Sequence, residues 1–452
     1  MPAVQTRLGD PLKRVGVLIC TVAFTTAFAG EYHVATTGTS GALGTPANPL
    51  SLSSAISPSS PAKAGDTIWL HGGIYRGAFT SNLRGEPDKP IIVRQYPGEH
   101  ATIDSPMSST AALTINGAWA WYWGFEVMNS STNRLISRGA GVNIFGPNTK
   151  CINLVVHDNG VGVGFWGPAT NSEIYGCIIY NNGWQGAAKD RGHGHAIYAQ
   201  NEVGTKQIRD NILFNQFGYG VHIYTEKGAI QGFDLEGNVS FNNGVITRDA
   251  NHYDNYLVGG YQPADRITLR QNYGYHTPHK EGRNLELGFH ATNNAVTVES
   301  NFFAGGSVTI KWWTNVALVG NTFASSRFDL RTISGGKPWV WRDDLTNQNP
   351  VGVQGIVRRN LYEPNRANII VFNWDLREQV QVDLGSFLQK GAMFEVRNAE
   401  DFFGPPVFKG KYTEQPIALP MKDLNCVKAL GVQESPVATW PQFGVFVVLP
   451  IQ

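Results

Sequence analysis

The sequence predicts an all-β chain, a parallel β-helix over residues 30–365 followed by a small antiparallel β-sandwich over 366–452. Three observations predict it. Short apolar segments recur with no amphipathic helix between them, many of them open on an asparagine, and this texture stops after Pro364.

The first 29 residues stand apart from the repeats. Lys13 and Arg14 precede the apolar run VGVLICTVAFTTAFA, and Ala27-Phe28-Ala29 has the small-x-small form of a cleavage site. That is the pattern of an export signal. The run is short for a membrane span, and no later segment reaches the roughly 18 apolar residues that a span needs. The expectation is a secreted protein, periplasmic or extracellular, starting near Gly30, with no membrane contact once mature. An uncleaved anchor is the alternative.

Next come the repeats. CINLVVHDNG, CIIYNNG, NILFNQFG, NVSFNNG, NYGYHT, NFFAGG and NTFASS recur from residue 151 to 326. Asn211, Asn238, Asn272, Asn301 and Asn321 open five of them, and Asn360 is expected to continue the series. The spacings of 27, 34, 29, 20 and 39 residues fit a short unit with insertions of varied length. A second series, GVNIF, VGVGF, HAIYA, GVHIY, LVGGY, LELGF and VTIKW, alternates with the first. Strands that repeat in one direction without helices imply coils of parallel sheet. Asparagines stacked at a turn would pair polar groups that the coil otherwise buries.

The front of the chain, GDTIWLHGGIYRGAF and then KPIIVRQYPGEHATID, resembles the opening coils of secreted right-handed parallel β-helix proteins. Polysaccharide lyases of the chondroitinase B and alginate lyase type are among them, and the resemblance covers residues 31–365. It implies a right-handed coil and a polysaccharide substrate. In several members it also implies calcium, for which no compact Asp/Glu cluster can be assigned here.

After Pro364, NIIVFNWD, QVQVDL, AMFEVRN, PIALPM and FGVFVVLP are strands separated by polar turns. They read as a sandwich that either binds carbohydrate or caps the open edge of the last coil.

Composition agrees. The 452 residues include 51 Gly, 12 Trp, 16 Tyr and 23 Phe, suited to a glycine-punctuated β protein with aromatic surfaces. A formal charge of +1 gives no bulk attraction for nucleic acid or an anionic membrane. Cys151, Cys177 and Cys426 show no zinc or disulfide spacing.

In FGYGVHIYTE, residues 217–226, His222, Tyr224 and Glu226 alternate with Val221, Ile223 and Thr225. A strand sends such alternate residues to one face. Aligning HAIYA with VHIYT sets Ala196 beside His222 and Tyr198 beside Tyr224. The same register adds Glu286 with Gly288 and Thr309 with Lys311, and backwards Asn143 with Phe145 and Gly162 with Gly164. His222, Tyr224, Tyr198, Glu286 and Lys311 are the candidate catalytic residues. Three polar loops enter this strand series, and seven of the 11 histidines fall between residues 193 and 290. Candidate substrate contacts are Arg191, His193, His195, Glu226, His252, Arg283, His290 and whichever of Trp312 and Trp313 faces outward.

Several chemistries are open to this set. Elimination from a uronate needs a cation on the carboxylate, a base beside it and an acid for the leaving oxygen. Arg191, Arg283 or a loop histidine would take the first role, Lys311 or His222 the second, and Tyr224 or Tyr198 the third. Hydrolysis needs two carboxyls, and Glu226, Glu286, Asp254 and Asp249 are available. Gly192-His193-Gly194 matches one motif of the polygalacturonases, but their other motifs are missing. His193 and His195 have a spacing that zinc tolerates, without a defined third ligand. A non-catalytic glycan-binding or adhesin-type β-helix is the reading from a different class.

Overall fold

The computed structural model describes residues 29–451 apart from 107–108, 187–191, 248–252, 278–281, 291, 332–339, 349 and 386. The export signal and two of the candidate contacts, Arg191 and His252, lie outside the described residues.

Among the described residues, three parallel sheets of twelve, eleven and ten strands run the length of a coil, and each turn of the coil gives one strand to each sheet in that order. The apolar half of the alternation sets the interior. Ile174, Ile208, Leu235, Leu269, Val298 and Leu318 stack across neighbouring strands of the twelve-stranded sheet, all fully buried. Val142, Val163, Ile197 and Val221 do the same in the ten-stranded sheet. A single helical turn, Leu52–Ala55, buries Leu52 and Ala55 in this same core, and the Ser51 side chain caps it.

The asparagine series stands at the turn from the twelve- to the eleven-stranded sheet. Each amide donates to the next coil: Asn211 to Asn238, Asn238 to Asn272, Asn272 to Asn301 and Asn301 to Asn321, all at 2.9–3.0 Å. Asp344 closes the ladder by accepting from Asn321 at 2.6 Å. Asn360 does not continue it; its amide turns to Asn153 instead, because the chain has by then left the coil. The residue before each ladder asparagine is left-handed, including Gln271 (φ 51°) and Ser300 (φ 54°), where a side chain makes that conformation costly. A second ladder, not foreseen, runs through Asn159, Asn182, Gln216, Asn243, Asn255 and Asn284 at the turn into the ten-stranded sheet.

The C-terminal part is an antiparallel sheet in the order Val353–Arg359, Ala367–Asn373, Phe443–Pro450, Met393–Asn398 and Phe408–Lys411, with the pair Gln379–Val382 and Ile417–Pro420 beside it. Its first strand precedes residue 366, so the antiparallel texture begins earlier than the sequence pattern suggests. The sheet does not sit over the end of the coil. It lies along the eleven-stranded sheet, where Tyr180, Phe214, Phe241 and Tyr275 form one apolar cluster with Ile370, Phe372 and Phe443. The ten-stranded sheet carries His222 in its strand Val221–Ile223, while Tyr224 and Glu226 follow just beyond that strand's end, where the expected alternation stops.

Candidate functional site

Across the ten-stranded sheet the register is Asn143, Gly164, Tyr198, His222, Leu257, Glu286, Thr309 and Asp329, each beside the next. From His222 through Glu286 to Thr309 this is the expected alignment. Before His222 the expected pairing is two residues off: Tyr198 stands beside His222, not beside Tyr224. A slip of two keeps every side chain on its own face, so alternation alone does not detect it. Tyr198 and His222 therefore meet directly, with ring centroids 5.4 Å apart.

Two groups of side chains occupy this face. The first is aromatic. His222 lies between Tyr219 (4.3 Å, stacked) and Tyr224 (5.0 Å, stacked), and its Nδ1 is 3.1 Å from Nε2 of His195. The Tyr219 backbone N–H donates to Nδ1 of His195. That contact fixes the tautomers: neutral His195 carries its proton on Nε2 and gives it to Nδ1 of His222. With both rings neutral, His222 then carries its own proton on Nε2 and presents it as a donor. Tyr198 is half-buried, and burial raises its phenol above the ordinary value, so it too holds its proton. Its hydroxyl accepts from the Gln200 amide.

The second group is charged and follows within two coils. Lys311 Nζ lies 2.6 Å from Oε1 of Glu286, and Arg283 lies 3.2 Å from Oε2 of the same carboxylate. Arg283 also stands 3.1 Å from Asp254, its cross-strand partner. Asp254 is fully buried, and neither of its oxygens has a well-aligned hydrogen bond. Burial pushes its carboxyl well up despite Arg283, holding it towards the neutral acid. Burial lowers the Arg283 guanidinium, but the neighbouring acids and the hydrogen bond it donates to the Tyr219 hydroxyl raise it above its ordinary value. Two cations thus converge on one carboxylate, Glu286. Tyr219 ties the two groups together.

The remaining candidates spread around this centre. Tyr261 stacks on His290 at 4.3 Å, and both are exposed. Phe289 meets Tyr224 edge-on at 5.7 Å. Glu226 is exposed. Trp312 is the outward tryptophan, 41% exposed at a left-handed turn (φ 65°), while Trp313 is fully buried in the core and is no substrate contact. His193 stacks on Trp184 at 4.8 Å whereas His195 meets His222, so the two histidines of the zinc reading face different neighbours.

The sequence reading missed Tyr219 and gave no role to Tyr261. Tyr219 has the parity of Val221 and Ile223, which points it inward. It precedes the strand, however, between Gly218 and Gly220, where alternation does not apply. The two flanking glycines were the available signal.

Calcium fits this set poorly. It asks for six to eight oxygen donors, and the acids here are Glu286, engaged by Lys311 and Arg283, and Asp254, held towards its neutral form. Among the described residues no three His, Cys, Asp or Glu side chains are placed to hold a metal ion.

No curated protein matches the chain. Among solved structures, it is similar to the pectate lyase Pel9A at 16% identity, with a TM-score of 0.50, covering 72% of this chain and 81% of that one. A rhamnogalacturonan lyase (16% identity, TM-score 0.47, 71% and 87% covered) and a GH136 lacto-N-biosidase from Eubacterium ramulus (13%, 0.48, 71% and 68%) are also similar. At such identities the likeness to Pel9A speaks for the fold alone. The family described as the Pel9A-like, right-handed β-helix region matches residues 32–299, more than half of the chain; the match takes in His222 and Glu286 and ends before Lys311. The chain belongs to the Pel9A-like right-handed β-helix family.

Proposed function

We propose that this protein is a secreted polysaccharide lyase that cleaves a uronate-containing chain by β-elimination. One observation carries the reading: Lys311 and Arg283 converge on Glu286 beside a group of touching His and Tyr side chains at the same sheet face. An anionic sugar meets Arg283, whose charge offsets the carboxylate and makes the neighbouring C–H easier to ionise. Lys311 then takes that proton, which requires its amine to leave Glu286 and reach the substrate as the free base. His222, through Nε2–H, or Tyr198 or Tyr224 returns a proton to the departing glycosidic oxygen. The exposed Tyr261, His290 and Trp312 offer faces on which flanking sugars stack. The family and its lyase-named structural relative support a carbohydrate-active role, and the convergence of Lys311 and Arg283 on one spot of the sheet face supports an acidic substrate.

A panel of uronate polysaccharides tests this directly. New ultraviolet absorbance from unsaturated uronate ends is expected, lost in Lys311→Ala and reduced in His222→Ala. Full activity in both variants refutes the assignment. Reducing ends without that absorbance mean hydrolysis, and retention on a glycan column with neither product means a binding protein.

A further inference from the structure

The ten-stranded sheet continues past Tyr198, away from Glu286 and Lys311, into the strands Val163–Phe165 and Val142–Ile144. Trp166 and Phe145 follow the last residues of these strands, in the position that Tyr224 takes after Ile223. The rings of Phe145 and Trp166 lie parallel, with planes 8° apart and centroids 6.0 Å apart. Trp166 meets Tyr198 at 5.5 Å, and Tyr198 meets His222 at 5.4 Å. One unbroken row of rings thus runs along the coil from His222 across the next three strands, about 14 Å at a strand spacing of about 4.8 Å. Phe145 is 36% exposed at its far end, and Trp166 and Tyr198 are half-buried.

Three features fix the geometry of this row. The indole N–H of Trp166 donates to Oδ1 of Asn143 at 2.9 Å, which sets the orientation of the ring. Gly164 makes room for that contact: a Cβ there would collide with the Asn143 oxygen and stand 2.7 Å from the indole nitrogen. From the next strand of the coil, the fully buried Lys206 donates to the carbonyls of Trp166, of Phe165 at 3.0 Å and of Gln200 at 2.7 Å. It ties together the exits of the strands that carry Trp166 and Tyr198, and the three carbonyls offset the cost of burying an ammonium. The rings are therefore part-exposed yet ordered before any ligand arrives, which lowers the entropy lost on binding. Asn143, Phe145, Gly164, Trp166 and Tyr198 include no charged side chain. Such a surface suits the apolar face of a sugar ring rather than its carboxylate.

We propose that Phe145 and Trp166 form a non-ionic subsite for the substrate polysaccharide, taking the apolar face of a sugar two to three coils from His222. The occupant, a chain that continues beyond the sugar being cleaved, rests on the function proposed above; the place rests on the row of rings. Isothermal titration of the whole protein carrying Lys311→Ala with a galacturonate heptamer and an alginate heptamer tests it. At least one heptamer should bind, and adding Phe145→Ala or Trp166→Ala should weaken that binding about tenfold, at low and high salt alike, because no ion pair is lost. In the active protein the same substitutions should raise KM on that heptamer and leave kcat unchanged. The proposal is overturned if neither heptamer binds, if both substitutions leave affinity unchanged, if the loss is confined to low salt, or if kcat falls with KM unmoved. Should Trp166→Ala not fold, Phe145→Ala, an exposed change, decides alone. Heptamer binding that depends on Phe145, in a protein that forms no unsaturated ends, would sink the lyase reading and leave the subsite standing. Elimination with a KM unmoved by either substitution would do the opposite.

Discussion

Between about pH 6 and pH 10 one imidazole should cost the protein about 3 kcal/mol of stability. His157 is 7% exposed, with Nε2 2.7 Å from Glu126 and Nδ1 2.8 Å from Asp158. Burial opposes its charge, but the two carboxylates outweigh burial and raise it to about 9. Going from an ordinary 6.5 to about 9, at about 1.4 kcal/mol per pH unit, gives about 3 kcal/mol. The sign follows from which state holds the proton. The folded protein keeps it longer, so the contribution is complete below about 6.5 and is lost as pH rises through about 9. Asp158 also accepts from Arg134 and from the Leu430 backbone, so this charge helps to hold the C-terminal part to the coil. The assay is guanidinium denaturation of the wild type and His157→Gln across that range, because the difference between them cancels other titrations. The advantage of the wild type should shrink by about 3 kcal/mol. A constant difference, or an imidazole that titrates by NMR near 6.5, refutes the reasoning.

The other predictions concern the ladder, the buried acid and the exposed tryptophan. Asn272→Ala takes away the acceptor of both the backbone N–H and the side-chain amide of the fully buried Asn238, at about 1–3 kcal/mol each, so a loss of about 4 kcal/mol is expected. The half-buried Asn315→Ala should cost under about 0.5 kcal/mol, and equal denaturation midpoints for the two would contradict the ladder. Because the carboxyl of Asp254 is raised in the fold, its contribution is complete below about pH 4 and is lost as pH rises. Asp254→Asn should therefore gain on the wild type from about pH 4 to 8 in the same assay, and a flat difference would show that Asp254 ionises normally. Trp312→Ala should leave stability within about 0.5 kcal/mol while raising KM on a polymeric substrate; an unchanged KM removes Trp312 from the groove.

The coil was legible in the sequence because its two signals are local and repeated. Asn211, Asn238, Asn272, Asn301 and Asn321 each precede a short, mostly apolar strand triplet, and each occupies the same corner. The second ladder was hidden because its members change identity, with Gln216 between Asn182 and Asn243, and because Asn255 lies inside a strand. Which side chains face outward on the ten-stranded sheet followed from alternation. Which of them touch did not, since Tyr198 moves from Tyr224 to His222 without breaking the pattern. The pairing of Arg283 with Asp254 and Glu286 depends on two strands separated by a polar loop, a contact that spacing does not encode. The lateral seat of the C-terminal sheet was equally out of reach, because Tyr180, Phe214, Phe241 and Tyr275 read as ordinary strand aromatics until their neighbours are known.

That lateral seat changes how the molecule comes apart. A bare solenoid frays from its ends, one rung at a time, since each rung touches only the next. Here Arg358 reaches Asp210, Asn360 reaches Asn153, Asn181 reaches Val427 and Asn242 reaches Val437, so a single splint fastens rungs far apart in the stack. Loosening any of these rungs means lifting the splint from the others, which turns gradual unzipping into one concerted event.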